Sequence, residues 1–266
     1  MKKLGLVVLV IVGILLASCA PAATPTPAPP VTEVLTDLGG LEVAVAVENA
    51  YPPFNYIDEE TGEAVGWDYN VWRAICEKLN CTPVFTESAW EGLFEAMAAG
   101  EYDVAADGIT ITLDRSKKID YSDPYMEYGQ VLLVRADETE ITSGDTLVAL
   151  TDKIVGVQIG TTNEITAISL VGEDRVQSFE TFDLPVVALM TGDVDTVVID
   201  EVAAVGFMME NPGKLKIAPE PLTGGELLGF VFPPKSPLVA PVNWAMQQLW
   251  ADGTMDQLYE KWFRPE

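Results

Sequence analysis

Histidine is absent from the 266-residue sequence, and basic residues are scarce. Without histidine, the chain lacks the commonest general base and the commonest metal ligand. Ser-His-Asp and Cys-His catalysis are therefore excluded. Only 15 lysine and arginine residues stand against 41 aspartate and glutamate residues, which leaves a formal charge of −26. Because such a charge repels phosphate backbones, we expect no nucleic-acid partner.

The composition is nevertheless that of a folded protein. Hydrophobic residues make up 48% of the chain and charged residues 21%, whereas a disordered chain is poor in apolar residues. At roughly 150 residues per domain, the length predicts about two domains or one large one.

The N-terminal segment has the pattern of an export signal. Lys2 and Lys3 precede the apolar stretch Leu4–Leu16, whose 13 residues are fewer than the roughly 20 that a membrane-spanning helix needs. The next residues, Leu16-Ala17-Ser18-Cys19, resemble the lipobox of bacterial lipoproteins. This resemblance implies that residues 1–18 are removed and that Cys19 carries lipid. An ordinary signal peptide followed by a cysteine is the alternative.

Residues 19–37 are predicted to tether a folded domain to that lipid. Ala20–Thr32 is uncharged and rich in proline, alanine and threonine, and such a composition favours an extended, semi-rigid spacer. The expected location is extracytoplasmic, anchored to the bacterial cell membrane, on the periplasmic side if there is an outer membrane.

Two cysteines remain, Cys76 and Cys81. Thiols outside the cytoplasm are usually oxidised, which favours a local disulfide at the end of a helix, with two free buried thiols as the alternative. Two cysteines without histidine do not suit a metal site, and no cofactor is implied.

Apolar β-branched runs alternate with helical patterns along the chain. Strands are predicted at Leu41–Val47, Val104–Ala106 and Ile154–Gln158, and a helix at Asp68–Leu79. This alternation predicts an α/β fold with largely parallel sheets.

One unit of sequence occurs twice. Leu93–Ala106 and Pro185–Val198 both read helix, glycine, acid, apolar residue, aspartate and strand, with Gly100 and Gly192 at the point where a helix ends in a left-handed cap. Two such copies indicate two similar lobes rather than one long sheet.

Ligands of open parallel sheets bind beyond the carboxyl ends of the strands. This rule selects a set of residues that follow predicted strands: Glu48, Asn49, Tyr51, Asp107, Gly108, Thr110, Gly160, Thr161, Thr162 and Asp200. If two such edges face each other, they form a cleft between lobes, a usual place for a small-molecule site.

Several of these residues have chemistry that suits a zwitterion. The guanidinium of Arg115 could bind a carboxylate as a fork, or pair on the surface with Asp114 or Asp120. Gly160-Thr161-Thr162 offers N–H groups to an anion, or is an ordinary helix cap. Asp200 and Glu201 could receive an ammonium group, or cap the next helix. Tyr51 and Trp90 could wall a ligand, or fill the core.

The order of motifs resembles the polar amino acid solute-binding proteins of ABC importers (solute-binding family 3). The resemblance spans Leu41 to Phe263 and is carried by these segments: Tyr51-Pro52-Pro53-Phe54-Asn55-Tyr56, Gly66-Trp67-Asp68-Tyr69-Asn70, Trp90-Glu91-Gly92-Leu93, Gly108-Ile109-Thr110-Ile111-Thr112 with Arg115, Ile119-Asp120-Tyr121-Ser122-Asp123-Pro124-Tyr125, Val155–Thr162, Ile199-Asp200-Glu201, and Asp252-Gly253 with Lys261-Trp262-Phe263.

The resemblance implies a role for each matching residue. Arg115 would clamp the α-carboxylate of a ligand, helped by backbone groups at Thr110 and Thr162. The carbonyl at Gly108, the hydroxyl of Thr110 and the carboxylate of Asp200 would receive the α-ammonium. Tyr51 and Trp90 would enclose the ligand's side chain. The predicted ligand-binding set also includes three neighbours: Gln158, Thr161 and Asn163.

Two positions depart from the commonest family pattern. Glu48 stands where aspartate is frequent, and Asp107 where a small residue is frequent. Two further carboxylates would suit a cationic side chain, such as that of lysine, arginine or ornithine. The alternative is that one of them faces solvent in a very acidic chain.

The resemblance also implies the type II periplasmic-binding-protein fold, with two α/β lobes, a two-strand hinge and a ligand cleft between them. We expect crossings near Tyr125–Gln130 and Gly224–Gly229. The first lobe would contain residues 38–127 and 227–266, and the second residues 128–226. Arg115 and Asp200 would then grip one zwitterion from opposite lobes, so that the ligand favours the closed state.

The expected partners are an amino acid, the transmembrane subunits of an ABC permease and, through Cys19, the membrane. The protein is expected to be a monomer without enzymatic activity. Two alternatives stay open: a ligand-binding subunit of a sensor, and an enzyme like cyclohexadienyl or arogenate dehydratase with Glu201 or Asp107 as the acid.

Overall fold

The computed structural model describes residues 34–264. The predicted signal peptide, Cys19 and the segment Ala20–Thr32 lie outside the described residues. The strands, in chain order, are β1 (Leu41–Val47), β2 (Ala50–Tyr51), β3 (Asn55–Ile57), β4 (Ala64–Val65), β5 (Cys81–Glu87), β6 (Val104–Ala105), β7 (Asp120–Tyr121), β8 (Met126–Tyr128), β9 (Gln130–Arg135), β10 (Val155–Gln158), β11 (Val176–Phe179), β12 (Thr196–Asp200), β13 (Leu215–Ile217), β14 (Glu226–Leu228) and β15 (Val231–Phe232).

The α-helices, in chain order, are α1 (Trp67–Leu79), α2 (Leu93–Ala99), α3 (Gly144–Ala149), α4 (Thr162–Val171), α5 (Leu184–Thr191), α6 (Glu201–Glu210), α7 (Val239–Ala251) and α8 (Thr254–Phe263). Single turns of 3₁₀ helix occupy Arg115–Lys117 and Glu173–Arg175. None of the helices within residues 34–264 has the length and apolar character needed to cross a membrane.

The strands form two five-stranded sheets, and each sheet is the centre of one lobe. The sheet of the first lobe has the order β5-β1-β6-β15-β7, with β5, β1 and β6 parallel and β15 antiparallel to its neighbours. The sheet of the second lobe has the order β11-β10-β12-β9-β13, with β11, β10 and β12 parallel and β9 antiparallel. The predicted α/β architecture with largely parallel sheets is confirmed.

Apolar side chains on both faces of each sheet form the cores. In the second lobe, Leu132 and Val198 face one cluster of buried side chains, while Leu133 and Val197 face another. Adjacent residues of a strand point to opposite faces, so nearly continuous apolar strands are required where helices cover both faces. The sequence runs at β9 and β12 meet that requirement.

The two lobes are joined by a small sheet that we call the hinge sheet, formed by β8 and β14. These strands run antiparallel, with Tyr128 opposite Glu226 and Met126 opposite Leu228. Both lie in the segments where the chain was expected to cross between lobes. The lobe boundaries at residues 127/128 and 226/227 fall in these strands and stay predictions.

The internal repeat has a physical basis in the structure. Gly100 and Gly192 end α2 and α5 with positive φ angles of 75° and 89°. After each glycine, an aspartate carboxylate accepts a backbone hydrogen bond from a neighbouring strand segment: Asp103 from the N–H of Ala44 at 2.8 Å, and Asp195 from the N–H of Ile154 at 2.9 Å. The same helix–glycine–aspartate–strand unit therefore joins the start of its strand, β6 or β12, to the neighbouring parallel strand segment in both lobes.

Cys76 and Cys81 form a disulfide, with their Cα atoms 4.5 Å apart. The bridge spans the turn between α1 and β5, where Asn80 adopts a left-handed conformation with φ 51°. The structure therefore has the predicted bridge rather than two free thiols.

Candidate functional site

A cavity lies between the two lobes. The first lobe contributes Glu48, Tyr51, Trp90, Asp107, Gly108, Thr110 and Arg115, and the second contributes Gln158, Thr161, Thr162, Asn163, Phe182 and Asp200. All twelve residues of the predicted ligand-binding set line this cavity, and Phe182 is the additional one. Asn49 and Gly160, which the strand-end rule also selected, do not line it: the Asn49 amide donates to Glu87, and the Gly160 N–H donates to Glu164.

Arg115 presents its guanidinium to this cavity from the 3₁₀ turn after β6. One nitrogen donates to the carbonyl of Thr110 at 3.1 Å, and another to the carbonyl of Gly160 in the second lobe at 3.4 Å. The rings of Trp90 and Phe94 lie on it, with centroids 5.2 and 4.5 Å from the guanidinium carbon. These contacts orient the fork, because a guanidinium is attracted to aromatic faces.

The alternative of a surface ion pair for Arg115 is excluded by its neighbours. Asp114 pairs with Lys117 at 2.5 Å, and Asp120 accepts from the backbone N–H of Lys235 at 2.6 Å. Within residues 34–264, no carboxylate oxygen lies within 4.0 Å of the guanidinium. Burial lowers the pKa of Arg115. The group is thus a partly buried cation that is free to bind an anion.

The N-terminus of α4 meets the cavity beside Arg115. The hydroxyl of Thr161 accepts from the N–H of Glu164 at 3.2 Å and donates to the carbonyl of Gln158 at 2.7 Å, so Thr161 is the N-cap of this helix. Thr162 begins the helix, where the first backbone N–H groups have no acceptor within the helix itself. The capping role of Thr161 is compatible with an anion site, since Thr161 and Thr162 both line the cavity at the N-terminus of this helix.

Asp200 ends β12 and is buried, with 3% of its surface exposed. One oxygen accepts from the amide of Asn163 at 2.7 Å and the other from the hydroxyl of Tyr51, which belongs to the first lobe. Its carboxylate makes no capping bond to α6. Burial raises the pKa of Asp200 to about 6, although these hydrogen bonds and the charge of Arg115 act in the opposite direction.

Glu48 and Asp107 follow β1 and β6, which are neighbours in the sheet. Glu48 accepts from the amide of Gln158 at 2.6 Å, and Asp107 accepts from the amide of Asn55 at 2.8 Å. Neither faces solvent, since their exposed fractions are 8% and 2%. Burial is the main cause that raises the pKa of Glu48 to about 9 and that of Asp107 to about 7, and the charge of Asp107 contributes to the shift of Glu48.

Asn55 and Asp68 support this acidic pair from behind. The amide of Asn55 donates to Asp68 at 2.9 Å as well as to Asp107, and its carbonyl oxygen accepts from the N–H of Asn49 at 2.7 Å. The side-chain amide orientation of Asn55 is therefore fully determined by its partners. Asp68 is buried in the first turn of α1, and burial raises its pKa to about 8.

Aromatic rings form two walls of the cavity. Tyr51 of the first lobe stacks on Phe182 of the second, with ring centroids 4.1 Å apart and planes inclined by 18°. Trp90, 8% exposed, covers Arg115. Phe182 was not predicted, yet it follows β11, so the same strand-end rule would have selected it had that short strand been identified.

The two lobes are in contact across the cavity, which is the closed arrangement. Three hydrogen bonds cross between the lobes: Tyr51 donates to Asp200, Gln158 to Glu48, and Arg115 to the carbonyl of Gly160. Outside the cavity, Gly206 of α6 lies against the first lobe, where a Cβ atom would be 2.7 Å from the carbonyl oxygen of Pro52. Glycine at this position therefore allows the lobes to approach closely.

We expect Gly206→Ala to weaken ligand binding about tenfold by disfavouring the closed state. The open form should not be destabilised, because alanine is a better helix former than glycine by roughly 1 kcal/mol. Calorimetric affinity together with small-angle scattering with and without ligand tests this. Unchanged affinity with a normal ligand-induced compaction would contradict it.

Two lobes, a hinge sheet and a closed cleft between the carboxyl ends of parallel strands define a type II periplasmic-binding-protein fold. The model of the bacterial extracellular solute-binding proteins, family 3, matches residues 43–265, and the chain belongs to this family. Members of this family act outside the cytoplasm as solute-binding components of ABC-type amino acid transport.

Individual relatives carry more specific names. A probable histidine-binding protein of Neisseria gonorrhoeae is 30% identical over 226 residues, 84% of this chain and 83% of that protein. The solved arginine-, lysine- and histidine-binding protein ArtJ of Geobacillus stearothermophilus superimposes with a TM-score of 0.78 at 32% identity, covering 85% of this chain and 96% of ArtJ. An ancestral amino acid-binding protein, described as a precursor of cyclohexadienyl dehydratase, superimposes with a TM-score of 0.76 at 31% identity. The match covers 84% of this chain and 96% of that protein.

Proposed function

We propose that this protein binds a free amino acid with a basic side chain in the cleft between its lobes and delivers it to an ABC-type permease. The observation that carries the proposal is the joint placement of Arg115 and Asp200, from different lobes, in one closed cavity that also contains Glu48 and Asp107. Opposite charges on two lobes match the two ends of a zwitterion.

The α-carboxylate of the ligand binds Arg115 and the N–H groups at the start of α4. The α-ammonium binds Asp200, the hydroxyl of Thr110 and the carbonyl of Gly108. Since these groups come together only in the closed form, the ligand stabilises closure by its differential affinity. Closure removes water from the cavity, and the ion pairs strengthen in the lower dielectric.

The cationic end of the ligand's side chain binds Glu48 and Asp107. Two adjacent buried carboxylates with raised pKa values are unfavourable as anions on their own, and a ligand cation between them offsets both charges. The basic specificities named for the probable histidine-binding relative and for ArtJ support this assignment. Tyr51, Phe182 and Trp90 enclose the aliphatic part of the side chain.

We further propose that Cys19 carries a lipid and that residues 19–37 tether the folded part to the outer face of the cell membrane. The lipobox-like sequence and the uncharged proline-rich segment support this. Radiolabelled fatty acid incorporated into the wild type but not into Cys19→Ser would establish it, and equal labelling of both would refute it.

A screen of the purified protein against the twenty common amino acids plus ornithine tests the binding function. Calorimetry should give the tightest binding for arginine, lysine, ornithine or histidine. A neutral ligand bound most tightly would reject the basic specificity and keep the binding function. The absence of binding to any amino acid would reject the proposal as a whole.

A dehydratase is the second candidate, because one structural neighbour is an ancestral amino acid-binding protein described as a precursor of cyclohexadienyl dehydratase. Of its two candidate acids, Asp107 lines the cavity, whereas Glu201 is exposed on α6 and does not. Incubation with prephenate distinguishes the two functions, because only the enzyme forms phenylpyruvate.

A further inference from the structure

A chain of hydrogen bonds runs from the cavity into the hinge sheet. The hydroxyl oxygen of Thr110 lies 2.7 Å from that of Tyr128, and the hydroxyl of Tyr128 donates to Glu226 at 3.1 Å. Tyr128 and Glu226 are opposite each other in β8 and β14. The backbone of Thr110 is itself bridged to Leu228 of β14. Thr110 is thus attached to the hinge sheet by both its backbone and its side chain.

The carboxylate oxygens of Glu226 determine which hydroxyl group is the donor in each of these hydrogen bonds. One carboxylate oxygen accepts from the hydroxyl of Thr223, and the other from Tyr128 and from the amide of Gln130, the last at 3.1 Å. A hydroxyl group has a single proton. Since Tyr128 donates its proton to Glu226, the proton in the bond between Thr110 and Tyr128 must come from Thr110.

This direction leaves the Thr110 hydroxyl with acceptor lone pairs only on its cavity side. The other hydroxyl near it is that of Thr162, whose oxygen is 3.4 Å away across the cleft. An ammonium group has donors and no acceptor, so it matches an oxygen that presents only lone pairs. A hydroxyl whose proton pointed into the cavity would instead oppose an ammonium group.

We propose that Tyr128 and Glu226 are positioning residues that hold the Thr110 hydroxyl as an acceptor for the ligand's α-ammonium, so that the hinge sheet sets the requirement for a free amino group. This inference rests on the proposed function and adds two residues to it. Tyr128 is buried, with 5% of its surface exposed, so water does not substitute for its hydroxyl. Glu226 also raises the pKa of Asp200, which places its charge close to the same ammonium site.

Tyr128→Phe is the sharpest test, because it keeps the ring and removes only the acceptor of Thr110. The probes are L-arginine and 5-guanidinopentanoate, which has the same carboxylate and guanidinium but no α-ammonium. Loss of one oriented buried hydrogen bond is worth about a factor of ten in affinity. We expect Tyr128→Phe to bind L-arginine about tenfold more weakly and 5-guanidinopentanoate with unchanged affinity.

Glu226→Met provides the second variant, since it has a similar length and no acceptor. Without the carboxylate of Glu226, Tyr128 donates its proton to Thr110 instead, and the direction of the hydrogen bonds reverses. We expect the same selective loss of affinity for L-arginine. Glu127→Met is the matched control, because Glu127 is the neighbour of Tyr128 in β8 but its side chain is exposed. It should bind both probes as the wild type does.

A double-mutant cycle separates positioning from a structural effect. In a Thr110→Val background the hydroxyl to be oriented is gone, so Tyr128→Phe should cause no further loss of L-arginine binding. A further tenfold loss, or an equal loss for both probes, would overturn the inference and leave the proposed function intact. If the screen selects another amino acid, that amino acid and its des-amino analogue replace these probes. Failure of the wild type to bind any amino acid would overturn both this inference and the proposed function.

Discussion

The Arg115→Ala variant is expected to lose at least about thirtyfold in affinity for every amino acid ligand. Truncating one partner of a buried, hydrogen-bonded charge pair costs about 2–5 kcal/mol, and every 1.4 kcal/mol is a factor of ten. The loss should not depend on the ligand's side chain, because the guanidinium binds the carboxylate that all α-amino acids share. Isothermal calorimetry with one basic and one neutral ligand measures it.

Arg73→Ala is the matched control for this prediction. The Arg73 guanidinium also lies on two aromatic rings, with centroids of Tyr69 and Phe85 at 5.6 and 5.5 Å, but on the exposed side of α1. Its removal should leave affinity unchanged. Arg115→Lys keeps the charge without the planar fork and should fall between wild type and alanine. Wild-type affinity in Arg115→Ala would contradict the binding mode.

Glu48→Gln and Asp107→Asn are expected to weaken the binding of basic amino acids selectively. Each removes one buried carboxylate that faces the ligand cation, and we expect a loss of about 10- to 100-fold for L-arginine and L-lysine. Binding of L-glutamine, whose side chain has no charge, should change little. The ratio of the two affinities is the measurement, because a general loss of folding would lower both.

The pH dependence of the wild type follows from the same two carboxyl groups. Each is protonated and uncharged below its raised pKa, and a neutral acid does not attract a cation. Affinity for L-arginine should therefore rise as the pH increases through about 7, for Asp107, and toward about 9, for Glu48. In Glu48→Gln, only the increase in affinity near pH 7, which belongs to Asp107, should remain. The series runs from about pH 6.5 to about pH 8.5, where the ligand's guanidinium remains charged. Asp200, whose pKa is raised to about 6, and the ligand's α-ammonium titrate near the ends of this range, so the pH dependence for L-glutamine is measured in parallel and subtracted.

The control for the acidic pair is Glu91→Gln, since Glu91 is exposed in the loop beside Trp90. It should preserve both the selectivity and the pH profile. A pH-independent affinity of the wild type for L-arginine would show that Glu48 and Asp107 do not face the ligand's cation. The binding of the α-carboxylate and α-ammonium would be unaffected by that result.

Most of the cavity residues were predictable because their positions depend on strands that are easy to identify, whereas Trp90 follows no predicted strand and was assigned through the family resemblance. Glu48, Asp107 and Asp200 follow apolar β-branched runs, and parallel strands place their carboxyl ends at one edge. The helix predicted at Asp68–Leu79 begins one residue earlier, at Trp67, and the strand predicted at Ile154–Gln158 begins one residue later, at Val155. Errors of this size do not move a residue away from the strand end.

The supporting residues were not predictable in this way. Asn55 reaches Asp107 from a small three-stranded antiparallel sheet, to which the strand-end rule does not apply. Tyr128 and Glu226 lie 98 residues apart and become neighbours only when β8 pairs with β14. Likewise, the antiparallel strands β9 and β15 enter their sheets from the hinge sheet, and periodicity alone does not reveal strand direction. These contacts depend on tertiary structure.

The way β15 completes its sheet has a consequence for the order of folding during biosynthesis. The second sheet uses only chain between residues 130 and 217, whereas β6 and β7 are linked through Val231 and Phe232. A growing polypeptide that emerges N-terminus first can therefore finish the second lobe while the first still lacks an inner strand and its last two helices. The first lobe therefore begins to be synthesised before the second and is completed after it. C-terminal truncation should unfold the first lobe, which carries Arg115, and leave the second lobe, which carries Asp200, folded.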